Sequence, residues 1–349
     1  MRPGLRRSPA GSHLRRLLRL SLCLTATLGA GPCAVRGAET VERRLVAMGT
    51  VLNVRVSGKD RASALDASEA AVAEIARIER LLSTWTRGGP LDRLNRSRPG
   101  EPVPVGVEVA SLLSAVESWS LRTGRSFDAT VAPLVRAWDL RGSGRVPAPA
   151  EIQRALEAVG RDQIAVDAVR GEAMRRHSHA GVDEGAWGKG YALDRAAAAA
   201  ESAGGTDVLV DLGGQILARA SATVDVADPR DRNRRAGSIA IGNQSISTSG
   251  NSERGRTAPG VRIGHLLDPH TGSPAPDFGS ATAIAPSAFV ADILSTAFFV
   301  LGAERGIALS ESLRREGFAN EALFLVVSGD RLEARTSPSL HFHLEETKP

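Results

Sequence analysis

The sequence feature that most constrains the fold is a long apolar segment with one acidic residue. Residues 287–302 are rich in Ala, Val, Leu and Phe, and their only carboxylate belongs to Asp292. This pattern predicts a buried helix, on which Thr296 projects from the same face. Burying a carboxylate is costly without a partner, and a hard divalent cation would use both oxygens. An Asp favoured by the helix dipole, with a Thr bonded back to its own helix, explains the pattern without a metal.

Charge is distributed unevenly along the chain. The 349 residues carry a formal net charge of +5, but residues 1–38 hold seven Arg and no acid, which leaves about −2 (5 minus 7) for the remainder. A near-neutral remainder gives no indication of nucleic-acid binding. Its length suits one large domain or two small ones with a substantial core. Only three Lys occur, so Lys189 inside a motif is informative.

The first 38 residues are typical of an export signal. Several Arg precede an apolar run over residues 20–30, which is too short to span a membrane. The pair Arg15 and Arg16 resembles a twin-arginine signal. Both cysteines lie in this segment, so residues 39–349 have neither disulfides nor thiolate metal sites. We expect a periplasmic domain over 39–349, and the proline before Cys33 makes a lipid anchor there the less favoured alternative.

Helical and strand patterns alternate irregularly along the rest of the chain. Residues 51–56 alternate between apolar and polar as a half-buried strand does, and residues 208–212 are typical of a buried strand. Apolar residues recur at helical spacing from Leu65 to Leu82, and an Ala-rich helix is expected over 189–203. Many strand-turn-strand units lie between such segments. We therefore predict an α+β fold with antiparallel sheets and packed helices rather than a doubly wound fold.

A glycine-rich loop at residues 182–191 leads into the Ala-rich helix. Backbone N–H groups at a helix N-terminus attract anions, and Lys189 adds a cation. Asp183 could accept hydrogen bonds from a sugar hydroxyl or a flavin N–H. The loop has neither the Walker nor the Rossmann spacing. A capped helix start is the alternative interpretation.

Four other residues lie beside turns and have two interpretations each. His265 precedes a Leu-Leu pair and an Asp-Pro turn, so it is either a general base near neutral pH or a structural histidine. Asp128, at the expected entrance of a helix, is either a ligand contact or an N-cap. Met48 and Trp85 are either core residues or the walls of a pocket that binds a ring.

Together these segments resemble the ApbE family of FAD:protein FMN transferases from about Ala47 to Gly302. The resemblance depends on motifs in a fixed order: MGT, S-T-aromatic, G-x-x-F-D-x-T-V-x-P-L-V-x-x-W, D-x-G-A-x-x-K-G-Y-A-x-D, D-L-G-G, T-S-G, H-x-x-D-P-x-T-G and A-D-x-x-x-T-A. It implies an ApbE-like α+β fold with a cleft for flavin and metal. It also implies FAD as the substrate and a divalent cation, Mg²⁺ or alternatively Ca²⁺.

The resemblance further implies an activity and a set of site residues. FMN would pass from FAD to a Thr or Ser hydroxyl of an exported flavoprotein, such as a respiratory membrane subunit, with release of AMP. His265 would be the base. The metal ligands would be the Ala186 carbonyl, Asp292, the Ser295 carbonyl and Thr296. The FAD contacts would be Met48, Trp85, Phe127, Asp128, Asp183, Lys189 and Leu267.

Departures from the family pattern leave some functions open. Glu184 stands where Leu is usual, and Trp187 stands where a small aliphatic residue is usual. A large Trp187 beside the metal loop would reshape the flavin or acceptor pocket. With water as the acceptor, the same site would be a periplasmic FAD pyrophosphatase that yields FMN and AMP. A non-catalytic flavin-binding assembly protein is the other alternative, and the presence of Asp292 and Thr296 argues against it.

Overall fold

The structure is a computed structural model that describes residues 38–251, 256–258 and 261–345, with the backbone alone at 256–258 and 261. The predicted export signal therefore lies outside the described residues, apart from its last position. The residues from Gly37 onward group into one structural unit.

The described residues form seven α-helices and thirteen β-strands. The helices are α1 (Arg61–Leu82), α2 (Pro90–Arg96), α3 (Val107–Arg122), α4 (Ala132–Ala137), α5 (Pro149–Leu156), α6 (Gly188–Ser202) and α7 (Ala288–Arg315). The strands are β1 (Glu39–Ala47), β2 (Thr50–Gly58), β3 (Val103–Pro104), β4 (Ile164–Asp167), β5 (Glu172–Arg175), β6 (Gly205–Leu212), β7 (Gln215–Asp228), β8 (Asp231–Gly250), β9 (Arg256–Ala258), β10 (Val261–Ile263), β11 (Gly279–Ala285), β12 (Glu321–Ser328) and β13 (Arg331–Thr336).

Eight of these strands form one sheet in the order β1-β2-β6-β7-β8-β11-β12-β13. Every described ladder within it is antiparallel. A three-stranded sheet, β3-β5-β4, and the β9-β10 hairpin stand apart from it. Most neighbours in the large sheet are also consecutive in the chain, as expected for strands joined by short turns. The α+β prediction with antiparallel sheets is confirmed.

Three helices cover one face of the large sheet. α1 packs on β2 and α6, α6 packs on β6 and α7, and α7 packs on β8 and β11. Alternate residues of a strand point to opposite faces, so Phe324 of β12 joins the core under the helices while Leu325 joins a second cluster. Phe342 and Leu344 near the C-terminus pack against that second cluster.

Helix α1 shows how the local sequence sets the bounds of these helices. Asp60 caps the N-terminus by accepting a hydrogen bond from the Ser63 N–H at 2.8 Å. Ile75, Ile78 and Leu82 recur at helical spacing on the buried face. The helix ends at Leu82, where the apolar pattern stops in the sequence.

Helix α7 contains the apolar segment. The Ser287 hydroxyl caps it by accepting from the Val290 N–H at 3.3 Å. Gly302, with φ 75° and ψ 172°, interrupts the helix, so two helical pieces meet at a kink before Arg315. By length and composition alone α7 could cross a membrane, but half of its apolar window is buried inside the protein. Its packing on β8 and β11 makes it a core helix of the sheet.

Candidate functional site

The site begins where the N-terminal ends of α6 and α7 cross. Gly190 of α6 faces the backbone of α7 so closely that a methyl group there would lie 2.6 Å from the Ala288 carbonyl carbon. The Gly190 N–H donates to Asp292 Oδ2 at 3.0 Å. Only glycine allows two backbones to approach in this way. The crossing therefore brings the glycine-rich loop next to the buried carboxylate of the late helix, as the proposed metal site requires.

Asp194, one turn beyond Gly190 on α6, fixes the start of α7. Its carboxylate accepts hydrogen bonds from the Ser287 hydroxyl at 2.6 Å, the Ala288 N–H at 2.8 Å and the Phe289 N–H at 3.0 Å. An anion at a helix N-terminus also interacts favourably with the helix dipole. The N-terminal parts of α6 and α7 are thus joined by two sets of hydrogen bonds, one between Gly190 and Asp292 and one between Asp194 and the first turn of α7.

Several oxygen atoms surround this crossing. Gly190 lies in the first turn of α6, where N–H groups have no partner inside the helix, and its N–H donates to Asp292, while the Ala186 carbonyl lies in the turn just before the helix. Asp292 is buried, with 4% of its surface exposed. Thr296 lies one turn along the same face of α7. Its hydroxyl is 3.4 Å from the Ser249 hydroxyl.

Ser295 belongs to a buried network of hydroxyl groups behind these oxygens. Its hydroxyl lies 2.9 Å from that of Ser249 and 3.2 Å from that of Ser247, both on β8. It also donates to the Asp292 carbonyl at 2.9 Å. The hydroxyl of Ser295 is therefore occupied by protein contacts, and its carbonyl, which the family resemblance implies as a ligand, lies inside helix α7.

The donor set fits a hard divalent cation. A carboxylate, a hydroxyl and backbone carbonyls are the ligands that Mg²⁺ and Ca²⁺ prefer. Across the described ranges, no group of three or more His, Cys, Asp or Glu side chains could hold a metal.

A second cluster of polar groups adjoins the Ala186 loop. Glu184 is buried and accepts hydrogen bonds from the Thr84 N–H, at 3.1 Å, and from the Thr84 hydroxyl. Burial, and after it the negative charge of Asp183, raises the pKa of the Glu184 carboxyl. Arg141 donates to Asp183 Oδ2 at 2.6 Å and lies over the ring of Trp85. These contacts tie the Trp85 turn to the loop that carries Ala186.

The Asp128 turn joins the same loop from the other side. Asp128 accepts from the Thr130 N–H at 2.8 Å and forms an ion pair with Arg125. The next residue, Ala129, accepts from the Asp183 N–H at 2.8 Å. The expectation that Asp128 lies at a helix entrance is wrong, because α4 begins only at Ala132 and Asp128 closes a tight turn with Thr130.

Met48 occupies the tip of the β1-β2 hairpin. Met48 and Gly49 have φ values of 48° and 72°, the positive values that a two-residue turn between twisted strands requires. A methionine rarely adopts this conformation, and the Glu79 carboxylate holds it by accepting from the Met48 N–H at 3.0 Å. Because Glu79 is one turn before Ser83, the hairpin tip lies near the Trp85 turn.

Three of the bulky side chains in these motifs are buried. Phe127 lies in the main core, and Leu267 packs with Leu134 and Trp138. Trp187 is fully buried, at 0% exposure, and its ring N–H donates to the Asp183 carbonyl at 2.8 Å. The Trp187 ring supports the loop from inside the core, so its effect on a flavin or acceptor pocket would be exerted through the position of the loop and stays a prediction.

Lys189 directly precedes Gly190 in α6, and His265 bonds the residue that follows β8. Lys189 is half-buried in the first turn of α6 and has no carboxylate within ion-pair distance among the residues with described side chains. The His265 N–H donates to Asn251 Oδ1 at 3.1 Å, and Asn251 lies two residues after Ser249. This bond connects the His265 segment to the end of β8 that reaches Thr296.

A cavity of about 260 Å³ opens beside Asp128 rather than at the helix crossing. α3 and β4 supply much of its wall, with Glu117 and Asp162 among the polar lining residues and Val116 and Ile164 among the apolar ones. Neither Lys189 nor His265 lines it. The cavity therefore lies beside Asp128 and is not lined by the residues whose oxygen atoms lie at the crossing.

Two residues of this site were not predicted from the sequence as site residues. Arg141 lay in a segment interpreted only as a loop. Asp194 ended a recognised motif without an assigned role, although its spacing of four from Gly190 places both on one face of α6. That spacing was a usable signal. No signal in the sequence indicated that Arg141 contacts Trp85.

Known proteins resemble this chain over most of its length. A sequence model of the ApbE family matches residues 48–319. The FAD:protein FMN transferase of Salmonella typhimurium is 30% identical over 314 residues, which cover 86% of this chain and 88% of that protein. The FAD:protein FMN transferase of Treponema pallidum is also 30% identical, and the match covers 88% of this chain and 90% of that protein.

Solved structures share the fold. The crystal structure of the ApbE protein from Thermotoga maritima has a TM-score of 0.78 and 29% identity, and the match covers 86% of this chain and 98% of that one. The apo flavinyl transferase ApbE of Pseudomonas stutzeri has a TM-score of 0.74 at 24% identity, with 86% and 95% covered, and shows the fold alone. By sequence motifs, family match and architecture, the chain belongs to the ApbE family.

Proposed function

We propose that this chain is a FAD:protein FMN transferase, which moves FMN from FAD to a Thr or Ser hydroxyl of an acceptor protein and releases AMP. The observation that carries this proposal is the α6–α7 crossing. There the Gly190 N–H bonds Asp292, and the Ala186 carbonyl and Thr296 hydroxyl belong to the adjoining turns. The names of the relatives in the family support the same reaction.

The oxygen atoms at the crossing would hold Mg²⁺ or Ca²⁺. The Ala186 carbonyl, Asp292, Thr296 and the Ser295 carbonyl are the proposed ligands. Such a cation neutralises the negative charge of the phosphate oxygens during phosphoryl transfer. Lys189 adds a positive charge in the first turn of α6, where backbone N–H groups also attract anions. These groups would orient the diphosphate of FAD.

The flavin and adenosine parts of FAD would lie along the neighbouring loops. Trp85 offers an exposed aromatic ring, and Met48 at the hairpin tip lies nearby. Asp183 and Asp128, joined through the Asp183–Ala129 hydrogen bond, offer carboxylate acceptors. The backbones of Phe127 and Leu267 complete the proposed contacts. Holding FAD at several points reduces the entropy that must be lost when the acceptor hydroxyl attacks.

His265 is the proposed general base. The acceptor oxygen attacks the FMN phosphorus, a new P–O bond forms, and the bond to AMP breaks. His265 takes the proton of the hydroxyl, and AMP leaves with the electron pair of the broken bond. The hydrogen bond from the backbone N–H of His265 to Asn251 fixes the His265 backbone at the end of β8, the strand whose Ser249 contacts Thr296.

We also propose that the protein acts after export, in the periplasm. The Arg-rich start and the apolar run of the first 38 residues support this, and the absence of cysteine beyond Cys33 would let the domain fold before export. The acceptor would then be an exported flavoprotein, such as a respiratory membrane subunit. Cell fractionation of the full chain tests the location, and retention in the cytoplasm would contradict it.

The reaction can be tested with purified protein, FAD, MgCl₂ and a carrier protein that displays a Ser/Thr-Gly-Ala-Ser/Thr segment. We expect a fluorescent band at the carrier in a denaturing gel, a mass increase equal to FMN, and one AMP per adduct. A carrier with Ala in place of both hydroxyl residues is the matched control. FMN release without an adduct would identify a pyrophosphatase instead. If neither an adduct nor free FMN forms, the result would favour a flavin-binding protein without catalytic activity.

A further inference from the structure

One face of Trp85 is covered by a guanidinium group. Trp85 is 66% exposed, which is high for a tryptophan, a residue type that is mostly buried. The Arg141 guanidinium carbon lies 4.5 Å from the centroid of the ring. This distance is within the range of a cation–π interaction. A planar ligand can therefore stack only on the opposite face of Trp85.

Arg141 is itself held by three acceptors on two separate segments. It donates to the Thr84 carbonyl at 3.0 Å, to the Thr84 hydroxyl at 2.6 Å and to Asp183 Oδ2 at 2.6 Å. The Thr84 hydroxyl in turn donates to the Glu184 carboxylate, which holds the hydroxyl in place as an acceptor for Arg141. These bonds define the plane of the guanidinium, since its N–H donors have a fixed geometry.

We propose that Arg141 is a positioning residue for FAD, which orients the ring of Trp85 and the carboxylate of Asp183 before the substrate binds. This inference rests on the proposed function. Without Arg141, Trp85 would sample other rotamers in solvent, and Asp183 would lose the partner that fixes its direction. Lys cannot replace Arg here, because a single ammonium neither stacks flat on a ring nor spans three acceptors.

The test compares Arg141→Lys with Arg145→Lys. Arg145 lies in the same loop, but it is more exposed and pairs with Glu151 at 2.9 Å, away from Trp85. We expect KM for FAD to rise about tenfold in Arg141→Lys, because the stacking of the guanidinium on Trp85 and its hydrogen bonds to Thr84 and Asp183 are lost. The value of kcat should fall less than about threefold. Arg145→Lys should match the wild type.

FAD binding is also measured directly, by the quenching of flavin fluorescence without acceptor. In the Trp85→Ala background, Arg141→Lys should weaken FAD binding by a smaller factor than it does in the wild type, because only the orientation of Asp183 then remains to be lost. Additive losses, or a KM in Arg141→Lys within twofold of the wild type, would overturn the inference. A wild type that binds FAD but forms no adduct would contradict the proposed function only, since the titration still reports on Arg141.

Discussion

Replacing Gly190 with alanine gives the sharpest test of the α6–α7 crossing. The added methyl group would lie 2.6 Å from the Ala288 carbonyl carbon and 2.8 Å from the Phe289 Cα. Both are backbone atoms at the start of α7, so no side-chain rotation can relieve the overlap. The two helices would have to move apart, and the hydrogen bond from Gly190 to Asp292 would lengthen with them.

The expected magnitude follows from two opposing terms. Alanine inside a helix is favoured over glycine by about 0.5–1 kcal/mol. Overpacking a core costs about 1–3 kcal/mol, and backbone overlap lies at the upper end. We therefore expect Gly190→Ala to lower the free energy of unfolding by about 2–2.5 kcal/mol (3 minus 0.5–1), although helix propensity alone would raise it.

Gly188→Ala is the matched control. It changes the same helix two residues earlier, where the new methyl would meet only side-chain atoms, those of Glu184 at 3.3 and 3.4 Å and of Leu82 at 3.9 Å. Equilibrium unfolding in urea gives both stabilities, and we expect Gly188→Ala to stay within about 1 kcal/mol of the wild type. The thermal stabilisation by MgCl₂ should shrink in Gly190→Ala and persist in Gly188→Ala. Equal stabilities for the two variants would refute the close crossing.

Three further predictions concern other residues of the site. Asp194→Asn keeps one acceptor oxygen for the N-terminus of α7, so it should lose about 1–2 kcal/mol of stability in urea, and an unchanged midpoint would count against this cap. The hydrogen bond from Arg77, followed by that from Tyr191, lowers the pKa of Glu108 from 4.5. Its contribution to stability should therefore be present at neutral pH and vanish as the pH falls below 4.5, so wild type and Glu108→Gln should converge in acid unfolding curves. His265→Ala should form at least 100-fold less FMN adduct with unchanged FAD quenching, and weaker quenching would make the residue a binding group instead.

The sequence predicted those parts of the fold that depend on local patterns. The apolar spacing that stops at Leu82 corresponds to the end of α1. Gly302 was the expected end of the apolar helix, and its positive φ produces a kink there. These features need no knowledge of tertiary partners, because burial periodicity and glycine conformation are properties of a short stretch of chain.

Other features depended on contacts between distant segments. The pattern of residues 39–47 did not predict β1, since its charged residues mask the alternation of an edge strand. Trp187 was expected to reshape the flavin or acceptor pocket, but the burial of its ring became clear only from the packing around it. Arg141 contacts Trp85 across more than fifty residues of sequence, and no spacing rule predicts such a pair. The roles of the metal and FAD residues stay predictions until the variants are measured.

The pairing of β2 with β6 has a consequence for how the chain matures. Asn53 and Asp211, which face each other in this ladder, are 158 positions apart in the sequence. The free edge of β2 in the N-terminal hairpin therefore stays unpaired until most of the polypeptide has been synthesised. The pairing is also slow, because it closes a long loop. A nascent chain that ends before residue 205 would expose that edge to other chains, so ribosome-bound intermediates should recruit chaperones until β6 emerges.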